Sequence, residues 1–138
     1  MSVQPHHTAS SRTIDAEELY EVFLSLNEPL KVCCTDWQVR TTPGGIVFND
    51  HLDARWDRRV LQQFWGLHRR MRTALQSADL APLADIARRL CAAAERISAG
   101  DVDALTRPLS DSYHDVWMEL HNALLEHLGR SRSAADGS

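Results

Sequence analysis

Trp56, Val60, Phe64, Leu67, Met71 and Leu75 stand four, four, three, four and four residues apart. That spacing gathers all of them on one stripe of an α-helix but divides them between the two faces of a strand. The middle of the chain is therefore expected to be a long amphipathic helix that needs an apolar partner. Gly66 within it costs about 1 kcal/mol relative to Ala, an expense that a closely approaching backbone or ligand would explain.

Three further segments carry the same period. The first opens near Asp15, which makes a capping pair with Glu18, and turns Leu19, Phe23 and Leu26 to one side. Pro29 predicts a break near Glu28 and a restart through Leu30, Cys33, Cys34 and Trp37. Thr41-Thr42-Pro43-Gly44-Gly45 then forms a loop, and Ile46-Val47-Phe48 is too short to argue for a sheet, so no strand pair is expected. The long helix begins after Asn49-Asp50. Pro82 opens a third helix with Leu83, Ile86, Leu90, Ala94 and Ile97 inward, and Gly100 ends it. In the last helix Tyr113, Val116, Trp117, Leu120, Leu124 and Leu128 face the core. These segments predict an all-α fold, a four-helix up-down-up-down bundle with a kinked first helix. It spans 13–129, between polar tails at 1–12 and 130–138 that lack any apolar period; His6-His7 in the first tail is not assigned a ligand.

A chain of 138 residues makes one domain that can bury a core without cross-links. Its three cysteines form no paired framework, which suits a reducing cytoplasm. No secretory start and no bilayer-length apolar run is visible, so no membrane partner is expected. Arginines cluster at Arg58-Arg59, Arg69-Arg70-Arg72 and Arg88-Arg89, but the net charge is −4. The charge argues against direct nucleic-acid binding by this chain alone.

Chemistry-bearing residues concentrate in two boxes and one outlier. In the last helix His114 and His121 lie two turns apart on either side of Trp117, next to Tyr113. Taken singly, each His reads as a packing residue; together with the aromatics they suggest a lined pocket for a planar or carbonyl-bearing anion. His68, one turn from Phe64, is the natural third member. Three such imidazoles with Asp111 or Asp50 could hold a divalent ion, but no HExxH or paired Glu-x-x-His is present, and neither metal nor cofactor is assigned. The other box is Thr35-Asp36-Trp37-Gln38-Val39-Arg40 with Asn49-Asp50-His51. Part of it is helix punctuation, with Asp50 or Asn49 as an N-cap. It could also form a polar mouth over Trp37, with Arg40 gripping a carboxylate or phosphate. Adjacent Cys33 and Cys34 point about 100° apart on a helix and read as small hydrophobes.

The boxes TDWQVR…NDH and DSYHxVWxELH resemble an actinobacterial all-helical domain that often follows a winged helix in proteins labelled MarR-like transcriptional regulators. The likeness covers about residues 15 to 130. It implies a sensor or ligand-binding role, with Asp36, Trp37, Arg40, Asn49, Asp50 and His51 in one box and Asp111, Tyr113, His114, Trp117, Glu119 and His121 in the other. This chain departs from the pattern at Asp115, Met118 and Asn122, and shows no winged helix before Asp15.

The first expectation is thus a binding protein whose small-molecule pocket is lined by Asp36, Trp37, Arg40, Asn49, Asp50, His51, His68, Tyr113 and Trp117, with His114 and His121 beside them. An acid–base enzyme of isomerase, lyase or decarboxylase type is the alternative, with His114 or His121 moving the proton and Asp111 or Asp50 orienting the imidazole. A third reading is a dimerisation module without ligand, pairing through residues such as Leu24 and Leu125 that lie off the main stripes.

Overall fold

The computed structural model describes residues 13–129. It contains four helices, α1 (Ala16–Gln38), α2 (Ala54–Ala78), α3 (Ala84–Ser98) and α4 (Tyr113–Leu128), plus a small hairpin of β1 (Val39–Thr42) and β2 (Gly45–Phe48) between α1 and α2. The architecture is mostly helical, as the apolar period requires. The tails, including His6-His7, lie outside the described residues.

Helix α1 starts at N-cap Asp15, whose carboxylate accepts the Glu18 amide at 2.9 Å while Glu18 returns a bond to the Asp15 amide. The capping box fixes the first turn. The helix then runs on through Pro29 without the predicted break. Proline removes one donor, from the carbonyl of Ser25, but Leu26, Leu30 and Cys33 around it are buried. Their burial holds the helix together across the missing bond.

The hairpin corrects the expectation of no strand pair. Val39 pairs with Phe48 and Thr42 with Gly45 in antiparallel register, and Gly45 adopts φ +120° at the turn. Threonine closes it: Thr42 Oγ1 donates to the Gly45 carbonyl at 2.8 Å and accepts the Gly44 amide. Local turn chemistry, rather than burial, makes these strands, since every residue of β2 is exposed. Helix α2 is capped by Asp53, not by Asn49 or Asp50; the Asp53 carboxylate accepts the amides of Arg55 and Trp56.

The core combines Leu19, Phe23, Leu26 and Leu30 of α1 with Phe64, Met71 and Leu75 of α2, Leu90 and Ala94 of α3, and Val116, Trp117, Leu120 and Leu124 of α4. The connection between α3 and α4 contributes too: Ala104 and Leu105 are buried, and their carbonyls accept the amides of Tyr113 and His114. Ser112 then caps α4, with Asp115 as the reciprocal partner. Leu125 is buried, and Leu24, which is partly buried, packs against the core. Among the described residues no helix is long and apolar enough to cross a membrane.

A Cβ added at Gly66 would meet nothing within 4 Å. No backbone or side chain of another element approaches it, so close backbone packing does not explain this glycine. Gly66→Ala should therefore stabilise the fold by about 0.5–1 kcal/mol through helix propensity alone, read as a higher denaturant midpoint with an unchanged slope.

Candidate functional site

The residues that the sequence assigns to one pocket are distributed over three places. The first is an aromatic cluster inside the bundle. Tyr113, Trp117 and His121 are at most 1% exposed. Trp117 stacks on Phe23 at 4.8 Å and on Tyr113 at 5.9 Å, and its indole N–H donates to Asn27 Oδ1 at 2.9 Å. His121 lies 4.8 Å from the Phe23 ring and 6.4 Å from that of Tyr20. Trp117 and His121 are thus packed among aromatic rings, not exposed along a hollow. His114 is only half-buried on the same helix. Asp111, the carboxylate assigned to orient it, is exposed 3.6 Å from Arg89, and its carbonyl accepts from Arg96. Glu119 is likewise engaged, by Arg89 at 3.0 Å, which ties α3 to α4. Among the described residues, no three His, Cys, Asp or Glu side chains meet in a group that could hold a metal ion.

His68 joins this cluster to the surface. Its Nδ1 is 2.9 Å from the Tyr113 hydroxyl, and both side chains are buried. Desolvation, helped by the charge of Arg72, pushes the His68 pKa down to about 4, and burial raises that of Tyr113 well above the usual phenol value. Both groups are therefore neutral near pH 7. An imidazole nitrogen accepts better than a phenol oxygen, so the pair favours the phenol O–H on Nδ1 and the ring proton on Nε2. His68 lines a hollow of about 360 Å³ between α2 and α3, with Trp65, Arg69, Arg72, Cys91 and Glu95. A second hollow of about 310 Å³ adjoins it, sharing Arg72 and Cys91 and continuing over Leu75, Leu80, Leu83 and Ala87. Together they form a groove with an apolar floor and an arginine rim. Arg88 is paired with Asp85, but among the described residues no carboxylate lies within ion-pair distance of Arg69 or Arg72.

The second place is the junction of α1, the hairpin and α2. Asn49, 1% exposed, donates from Nδ2 to the Trp37 carbonyl and to Asp57 Oδ1, both at 2.9 Å, and accepts the His51 amide at 3.1 Å. His51 Nδ1 is 2.8 Å from Asp57 Oδ2, and its ring lies 4.4 Å from that of Trp37. Trp37 in turn donates to the Val102 carbonyl at 2.9 Å, and Trp56 to the Asp36 carbonyl at 2.7 Å. This knot opens on a cleft of about 320 Å³, bounded by Phe48, Thr106 and Arg107.

Arg40 occupies a third place. It stands 3.5 Å from Asp53, lines a shallow depression with Asp50, Arg55 and Arg58, and keeps a buried Nε without a hydrogen-bond partner. Asp50 spends its carboxylate on the Leu52 amide. Buried Cys33 and Cys34 have thiols raised to about 11 and about 12, chiefly by desolvation, so they pack as neutral hydrophobes.

Sequence reasoning missed Asp57, Trp65, Arg72 and Asn27. Asp57 had a signal, being a carboxylate in the first turn of α2 six residues after His51. Compared with protein-family models, with curated proteins and with solved structures, the chain matches none.

His68 titrates near 6.5 when unfolded and near 4 when folded. Between those values the unfolded chain holds more protons, so the stability due to neutral His68 is complete above about pH 6.5 and is lost as the pH falls toward 4. Thermal melts of wild type and His68→Gln should therefore diverge: the wild type loses more of its Tm between about pH 7 and pH 4.5. Equal losses would contradict this account.

Proposed function

We propose that this chain is a small-molecule-binding helical domain of sensor type, whose ligand is a carboxylate with a planar or apolar body lying in the groove between α2 and α3. One observation carries the reading: neutral His68, its Nδ1 committed to buried Tyr113, shares a hollow with Arg72, which forms no ion pair with any described carboxylate. A planar acid would find the Trp65 indole for its rings, the His68 Nε2–H for a carbonyl oxygen and the Arg72 fork for its carboxylate. Its apolar end would lie over Leu75, Leu83 and Ala87. The groove retains the imidazole, indole and arginine of the pocket expected from the sequence, but takes the indole and guanidinium from Trp65 and Arg72 instead of Trp117 and Arg40.

Two further expectations belong to the same proposal. The helices form an up-down-up-down ring with a bend in α1 at Pro29, consistent with α1 lying against both α2 and α4 and with α3 against α4. The domain works in a reducing cytoplasm, as one of the helical sensor domains that its two boxes resemble. Free Cys33, Cys34 and Cys91 support that setting.

The test is isothermal titration with aromatic and medium-chain carboxylates, followed through two variants. Arg72→Gln should weaken binding by about 1.5–3 kcal/mol, tenfold or more, as expected for a hydrogen-bonded charge. Arg40→Gln should leave it unchanged. The proposal fails if no carboxylate binds, or if Arg72→Gln binds as tightly as wild type.

A further inference from the structure

The cleft beside His51 is separate from that groove. Asp57 and His68 are eleven residues apart on α2, roughly 16 Å along the helix axis. We propose that His51 and Asp57 form a proton-transfer pair that removes the hydrogen next to the carbonyl of a small carboxylate bound in this cleft.

The pair has the geometry that such a step needs. Asp57 Oδ2 takes His51 Nδ1 at 2.8 Å, which holds the ring proton on Nδ1 and leaves the lone pair on Nε2. The other carboxylate oxygen is held by Asn49 Nδ2, so Asp57 cannot swing away, and Asn49 Oδ1 grips the His51 amide. Imidazole and carboxylate are thus clamped by one buried amide. Among the described residues Nε2 has no hydrogen-bond partner, and the His51 side chain is 22% exposed where it borders the cleft. His51 also adopts φ +63°, a left-handed conformation that L-residues with a Cβ rarely take.

The rest of the cleft selects the substrate. Trp37 and Phe48 give apolar walls, and Arg107 supplies a guanidinium whose described ion pair, with Asp103, is an exposed contact at 3.3 Å. A carboxylate can therefore compete for its fork. No serine or cysteine borders the cleft, so the chemistry on offer is proton transfer rather than acyl transfer through those nucleophiles. In the step, the C–H proton passes to Nε2, the electron pair left on carbon forms the C=C bond of an enolate, and the carbonyl oxygen takes the negative charge. Asp57 balances the imidazolium. Return of a proton from Nε2 to carbon regenerates both the imidazole and the carbonyl compound, with no other reagent consumed.

Hydrogen–deuterium exchange reads this step directly. With 2-oxobutyrate in D2O, the wild-type chain should erase the methylene signal at C3 in proton NMR at least tenfold faster than an equal concentration of free imidazole. His51→Gln should reduce exchange to the buffer rate. Asp57→Asn should slow exchange about tenfold or more and displace the acid limb of its pH–rate profile, a change that a merely structural carboxylate would not produce. Arg107→Gln, at an exposed position, should raise the concentration needed for half-maximal exchange while the rate at saturation persists. Wild-type exchange no faster than that of imidazole overturns the proposal, as does undiminished exchange in His51→Gln. Should His51→Gln fail to fold, an unchanged half-saturation in Arg107→Gln overturns it instead.

Discussion

The stack of Tyr113, Trp117 and Phe23 holds the bundle in place. Phe23 belongs to α1, Trp117 and Tyr113 to α4, and Phe64 of α2 meets the Tyr113 ring edge-on at 4.7 Å. Each ring buries a large apolar area, and the offset and edge-on contacts add directional preference to that burial. A buried indole N–H must also find an acceptor, and Asn27 provides it one turn beyond Phe23. Because Asn27 and Phe23 can serve Trp117 together only when α1 and α4 are in one register, the polar bond fixes what the apolar contact leaves free to slide. Trp37 and Trp56 repeat the device with backbone carbonyls, joining α1 to the 99–112 connection and to the start of α2.

The stripes of the four helices were legible because burial follows the helical period. Leu19, Phe23, Leu26, Val60, Phe64, Met71, Leu90 and Leu120 are all where that spacing puts them. The hairpin was not legible, since its strands bury no alternating face; its stability comes from Thr42 and a left-handed glycine, which a hydropathy pattern does not register. Nor did Pro29 end α1, for tertiary burial on both sides of it outweighs one missing bond. The site divides in the same way. Trp37, Asn49 and His51, close in the chain, also meet in the fold. The error lay with Trp117 and His121: an inward-facing indole or imidazole looks the same in sequence whether its neighbour is a ligand or Phe23. Arg72 was legible only as one member of a basic cluster, because its place in the groove depends on what does not pair with it.

Helix α2 relates the two open places. Eleven residues advance an α-helix by three turns and about 20°, so Asp57 and His68 share a face, and Phe64 lies on it between them. Along one stripe α2 therefore presents a carboxylate to His51, a phenyl ring to Tyr113 and an imidazole to the Tyr113 hydroxyl. Polar side chains on a buried stripe cost free energy unless each has a partner. Both have one, and in each case it comes from another segment, so the polar positions specify which segments meet as firmly as the apolar ones do.

Left-handed residues other than glycine border both places. In the α2–α3 groove Asp79, at φ +49°, ends α2, whereas the His51 cleft lies between two segments that carry them, His51 at φ +63° on one side, Leu109 at +58° and Asp111 at +56° on the other. Each costs about 1–2 kcal/mol relative to a right-handed alternative. At His51 the cost is offset locally, by the Asn49 bond to its amide, the Asp57 bond to its ring and the Trp37 face against it. Were this loop only a connection between β2 and the Asp53 cap, a glycine at position 51 would relieve the backbone. It would also remove the ring that Asp57, Asn49 and Trp37 surround. Three side chains converging on an imidazole in a costly conformation, at the edge of a cleft, are the features on which the proposed proton transfer rests.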